Sequence, residues 1–120
     1  MTIGYHEAMN ELSPEAKEIH RALASLIEEL EAVDWYNQRV DISSAEELKQ
    51  VLLHNRNEEI EHACMVLEWL RRTIPEFDEN LRTYLFSDKN ILEIEEDEEG
   101  GSDEGQSNPG GSDLGIGKNQ

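Results

Sequence analysis

Two long stretches of this chain carry apolar residues at a spacing of three and four, a period that fits an α-helix with one buried face. The first runs Ile19, Ala22, Leu23, Leu26, Leu30, Val33 and Val40. It starts behind Ser13-Pro14, where serine can cap free backbone N–H groups and proline tolerates the first helical position. Asp41-Ile42-Ser43-Ser44 breaks the pattern, and Ser44 with Glu47 reads as a capping box that opens a second helix. Its stripe is Leu48, Val51, Leu52, Ala63, Val66 and Leu70, and it should end before Pro75. A shorter amphipathic piece carries Phe77, Leu81, Tyr84 and Leu85. Each long helix, of about 27 residues, spans roughly 40 Å, and the short link between them implies an antiparallel hairpin. The expected fold class is all-α, a two-helix hairpin plus a short C-terminal helix. The hairpin leaves one side of its stripe open, and the third helix is too short to cover it. Two hairpins are therefore expected to pair as a four-helix bundle, a dimer at least.

Composition divides the chain. Seven of the eight glycines lie beyond residue 99, and from Asp88 onward ten acidic residues stand against Lys89 and Lys118. Such a stretch holds too few large apolar residues to offset the entropy of ordering it. The expected layout is a flexible N-terminus over 1–12, a helical domain over 13–87, a disordered acidic and Gly-rich linker over 88–111, and a terminal peptide over 112–120. The net charge of −18 argues against nucleic acid and anionic membranes as partners, since both need a basic footprint. It raises the local concentration of divalent cations, although from charge alone plain solubility is the favoured reading. Cys64 is the one cysteine, which excludes an internal disulfide. No signal peptide or membrane span is visible, so a cytoplasmic protein is expected.

Glu29, Glu59 and His62 interrupt the apolar faces. At ~100° per residue, Glu59 and His62 fall within about 40° of the line through Leu48 and Val66. Glu29 lies about 60° from Leu26, among Ala22, Val33 and Val40. A carboxylate on a core-facing stripe needs neutralising, and a metal ion does this well. In a chain rich in glutamate with four histidines, one Glu-x-x-His match is unremarkable; position raises it. Measured from the turn, the three residues stand at heights of about 21, 24 and 28 Å, nearly one level of an antiparallel hairpin. Di-iron and di-manganese carboxylate bundles take a Glu from each of two helices and a Glu-x-x-His from each of the other two. One hairpin holds half that set. A metal-free buried polar cluster is the competing reading.

On the other side of the first helix, Glu28, Glu31 and Trp35 fall within about 60° of one another. They form either a charged exposed face or a staging site for incoming cations, and the large aromatic favours an interface. Tyr36 borders the Glu29 edge, as a core residue or as a neighbour of the metal.

The run Glu28-Glu29-Leu30-Glu31-Ala32-Val33-Asp34-Trp35-Tyr36, with Asn55-Arg56-Asn57-Glu58-Glu59-Ile60-Glu61-His62-Ala63 and Leu81-Arg82-Thr83-Tyr84-Leu85-Phe86, resembles the encapsulated ferritins. These are ferritin-like proteins housed inside encapsulin shells. The resemblance covers residues 13 to 87. Ser112-Asp113-Leu114-Gly115-Ile116-Gly117-Lys118 is similar to the short peptides that load cargo into those shells.

The resemblance implies that Glu29, Glu59 and His62 are ligands of a di-iron ferroxidase centre formed between two subunits, with Tyr36 beside it. It implies a secondary site for Ca or another divalent cation around Glu28, Glu31 and Trp35. It also implies a ring of dimers, a ring-shaped decamer, and an encapsulin shell as partner. The expected activity is oxidation of Fe(II) by dioxygen, with iron delivered for mineral storage inside the shell. A non-storage di-metal oxidase or peroxidase and a non-catalytic helical interaction protein remain the alternatives.

Overall fold

The computed structural model describes residues 4–105. Every regular element in that range is helical: a 3-10 turn at Met9–Glu11, then α1 (Pro14–Ile42), α2 (Glu46–Thr73), α3 (Pro75–Tyr84) and α4 (Ile91–Gly105). The chain divides into two compact units, Met1–Asp78 and Glu79–Gln120.

In the first unit, α1 opens as its sequence requires. The Ser13 hydroxyl accepts a hydrogen bond from the Ala16 N–H at 3.0 Å, with Pro14 in the first turn. The linker is only three residues, and the Ser43 N–H closes α1 on the Arg39 carbonyl at 3.0 Å. The capping box expected at Ser44 is not formed. Ala45 is the N-cap of α2 and offers no side-chain cap, because the helix starts one residue too late for the Ser44 hydroxyl to reach it. Glu46 and Glu47 in the first turn instead place negative charge at the positive end of the helix. Ile74, held extended by the proline after it, ends α2, and Pro75 opens α3.

The helices α1 and α2 are antiparallel, and their side chains show the register. Arg56 donates to the Asn37 side chain at 2.9 Å near the linker, and His62 Nδ1 lies 3.7 Å from Glu29 midway. Further on, Trp69 and Val66 line one shallow groove with Ala22 and Ser25. The seam is thin. Among the described residues the buried apolar side chains are Ala63, Leu70 and Ile94, while Leu23, Ile27, Leu30, Leu48, Val51, Ile60, Met65 and Trp69 stay exposed. Covering such a side chain contributes about 1.5–3 kcal/mol, so this hairpin leaves much of its stabilisation unrealised as a single copy.

The chain before α1, expected to be flexible, includes the 3-10 turn and a stack of Tyr5 on His20 with ring centroids 4.3 Å apart. In the second unit, the linker expected to be disordered over 88–111 is helical at 91–105. Asn90 explains the start: its side-chain oxygen accepts from the Leu92 N–H at 2.9 Å and the Glu93 N–H at 3.3 Å. Lys89 pairs with Asp97, and Ile94 is buried. Glutamate is also a strong helix former, which net acidity conceals. Tyr84 is shifted up by burial and then by the charges of Glu95, Glu98 and Glu99. Phe86 adopts a left-handed φ of 64° just past α3, the conformation that commonly ends a helix. The peptide at 112–120 lies outside the described residues.

The α2–α3 corner is held by charge. Arg71 donates to both oxygens of Glu68 at 2.8 Å and also pairs with Asp78, while Arg72 donates to Glu68 at 2.6 Å. Hydrogen bonds from Arg71 and then Arg72 pull the Glu68 carboxyl down from 4.5 to about 2. A carboxyl depressed on folding adds stability above its ordinary range and loses it as pH falls toward the folded value. Glu68→Gln is therefore expected to lower the thermal midpoint at pH 7 by a few degrees. The gap from wild type should close between about pH 4.5 and about pH 2. Melting curves across that range check this, and a gap independent of pH would contradict it.

Candidate metal centre

The antiparallel register brings Glu29 of α1 level with Glu59 and His62 of α2. One ligand atom from each, two carboxylate oxygens and a ring nitrogen, all lie within 4.8 Å of one another. His62 Nδ1 is 3.4 Å from Glu59 Oε1 and 3.7 Å from Glu29 Oε1. Bonds of about 2.1 Å to one cation need donors roughly 3–4 Å apart, so small side-chain adjustments suffice. The two carboxylates are about a quarter exposed (25 % and 26 %), and the His62 side chain is 45 % exposed. At ~100° per residue, His62 shares a stripe of α2 with Val51, Met65 and Trp69, all three exposed. The cluster thus borders one of the open apolar flanks of the hairpin.

The charges are unevenly matched. Glu29 is shifted up, chiefly because it shares a hydrogen bond with Glu59, with burial and the Glu59 charge adding and His62 opposing. Glu59 is shifted down, chiefly as the other side of that bond, with His62 assisting. The two carboxylates therefore press on each other, and the pressure falls on Glu29. Two opposed carboxylates favour a cation between them, and oxygen with imidazole nitrogen suits iron, zinc or manganese.

Other expected site residues lie elsewhere. Glu28 and Trp35 are exposed and Glu31 is half-buried; none joins the three-donor group, although the Glu28 charge contributes to the upward shift of Glu29. The Arg39 guanidinium stands 5.3 Å from the centroid of the Tyr36 ring, a cation–π pair that its i,i+3 spacing could have signalled. Sequence reasoning did not single out Glu58. Its Oε1 is 3.9 Å from His62 Nε2, and the four-residue spacing was the available signal. Among the described residues no helix is long and apolar enough to cross a membrane.

An antiparallel helical hairpin with one Glu on the first helix and Glu-x-x-His on the second carries half of the residue set found in ferritin-like carboxylate bundles. The EncFtn-like family model matches residues 4–88. A "Ferritin-like protein" of Thermotoga maritima is 56 % identical over 114 residues, covering 95 % of this chain and 96 % of its own. An "Encapsulated ferritin-like protein" of Rhodospirillum rubrum is 49 % identical over 118 residues, covering 93 % of this chain and 84 % of its own. A crystal structure of a protein from Nitrosomonas europaea superposes with a TM-score of 0.72 at 58 % identity, covering 73 % of this chain and 97 % of the other. The chain belongs to the EncFtn-like family, the encapsulated ferritins that its motifs resemble.

Because Glu29 keeps its proton to a higher pH than an ordinary carboxyl, a bound divalent cation must displace it. Zinc binding near pH 5 is expected to release protons and to tighten as pH rises. Calorimetry in buffers of different ionisation enthalpy measures the release. Binding without proton release, unchanged across pH, would contradict the upward shift of Glu29.

Proposed function

We propose that the protein is a ferroxidase, in which Glu29, Glu59 and His62 bind Fe(II) as substrate and two copies of the chain complete the centre. The three-donor cluster at one level of the hairpin carries this reading. The incompleteness of the set supports pairing. Three donors leave a cation open positions, and the cluster borders an apolar stripe that a second hairpin would cover. A two-fold pair doubles the set to four carboxylates and two imidazoles, enough for two iron ions. Glu29 of each copy would lie between the ions, with Glu59 and His62 holding one ion each.

Each Fe(II) gives one electron to dioxygen, and the carboxylates stabilise the higher charge of the Fe(III) product. Because Glu29 is held above the ordinary carboxyl range, entering Fe(II) would compete with its proton, and the 2+ charge would offset both carboxylates. Fe(III) then moves on for mineral growth. Glu28, Glu31 and Trp35 would serve as a cation staging site that takes Ca or another divalent ion, and Tyr36 as a neighbour of the centre. The ring-shaped decamer is the assembly we assign, with an encapsulin shell supplying the storage volume. Residues 112–120 are the proposed shell anchor and 88–111 the tether; the relative named as encapsulated supports that assignment.

His62→Ala is expected to slow the initial rate of Fe(II) oxidation in air at least tenfold while leaving helicity unchanged. Equal rates for mutant and wild type would sink the site. Peroxide consumption without mineral build-up would redirect the reading to a non-storage oxidase.

Deleting residues 112–118 is expected to abolish co-purification with a co-expressed encapsulin shell and to leave iron oxidation intact. Undiminished loading after the deletion would overturn the anchor.

A further inference from the structure

His62 has two ring nitrogens, and α2 gives each a different neighbour. Nδ1 faces the cluster, 3.4 Å from Glu59 and 3.7 Å from Glu29. Nε2, on the far side of the ring, lies 3.9 Å from Glu58 Oε1. Glu58 is about half exposed and falls outside the three-donor group.

An imidazole that ligates a cation through Nδ1 must carry its proton on Nε2. The partner of that N–H decides how firmly the ring is held and how basic the ligating nitrogen is. We propose that Glu58 is a positioning residue for the metal centre. Its carboxylate accepts the Nε2–H of His62 and holds the ring in the tautomer and orientation that present Nδ1 to the cation. This rests on the reading of Glu29, Glu59 and His62 as the donor set.

The distance of 3.9 Å is longer than a hydrogen bond. A rotation of the flexible Glu58 side chain closes it, and such contacts tighten when a site is loaded. The ring has reason to need a partner. At 45 % exposed it has little packing to oppose a flip. A half-turn about Cβ–Cγ would put a carbon where Nδ1 stands and remove the lone pair from the site. Glu58, four residues back, is placed to oppose that turn. Glu61 is also exposed and carries the same charge, but sits about 100° around the helix from His62. It therefore separates positioning from the general attraction of an acidic surface for cations.

The test uses the full chain and zinc as a diamagnetic probe. Zinc affinity is measured by chelator competition at low and high salt in wild type, Glu58→Ala, Glu58→Gln, Glu61→Ala and His62→Ala. The His62 Nε2–H resonance is followed in zinc-loaded, 15N-histidine-labelled protein. Glu58→Ala is expected to lose about 10–100-fold in affinity at both salt concentrations. Glu58→Gln, whose amide oxygen still accepts, should recover much of that loss. Glu61→Ala should show a small, salt-screened effect. The Nε2–H signal should lie downfield in wild type and move upfield or exchange away in Glu58→Ala. Equal, salt-screened losses in Glu58→Ala and Glu61→Ala with an unmoved Nε2–H signal would overturn the positioning role and leave the donor set standing. Wild-type affinity in His62→Ala would overturn the donor set and the proposal with it.

Discussion

Two carboxylates meet on the seam between α1 and α2, and the repulsion between them shapes what surrounds them. Unit charges within 4.8 Å of each other repel by on the order of 3 kcal/mol or more at an effective dielectric constant of ~20. The half-buried seam cannot leave this unanswered. In the protein alone Glu29 is pushed up and Glu59 down, with His62 alongside. A cation answers it better, because one ion can satisfy both carboxylates and take the imidazole as a third donor. The local instability of the site and its capacity to hold metal are thus the same property.

Holding three such groups together depends on the hairpin. A shift of α2 along α1 by one turn would move Glu59 and His62 about 5 Å from Glu29. The register is set by the short linker and by the Arg56–Asn37 hydrogen bond near it. At the other end of α2, Arg71 and Arg72 grip Glu68, and Arg71 reaches Asp78 of α3. Polar fastenings therefore stand at both ends, and the level of Glu29, Glu59 and His62 lies between them. Little of this comes from a conventional core. Leu70 and Ala63 are buried on α2 while larger apolar side chains remain open along both helices. A thin seam with open flanks is suited to burial against a second copy, and the site lies where that burial would exclude water.

Much of the architecture was legible from periodicity. The three-and-four spacing, Ser13-Pro14 and Pro75 located both long helices, since caps and breakers are local chemistry. Two readings failed for physical reasons that composition hides. Ser44 and Glu47 have the spacing of a capping box, but the linker's extended path places Ala45 at the cap. The acidic stretch after Asp88 has the charge of a disordered tail, yet Asn90 caps it, Lys89 pairs across to Asp97 and Ile94 finds cover. Glu29, Glu59 and His62 stood out as polar residues on apolar stripes at a common height. Glu58 did not, because on a helix rich in glutamate nothing local distinguishes the acid that faces a histidine nitrogen from its neighbours.

The sequence by itself determined the two long helices, their antiparallel turn and the candidate metal-binding residues, because these follow from hydrogen-bonding periodicity and residue chemistry within a few positions. Tertiary structure alone decided which donor atoms converge, which carboxyl is pushed up and which down, and which ring nitrogen of His62 faces the site. Those depend on distances of a few ångströms between residues some thirty positions apart, and only the packing of one helix on the other sets them.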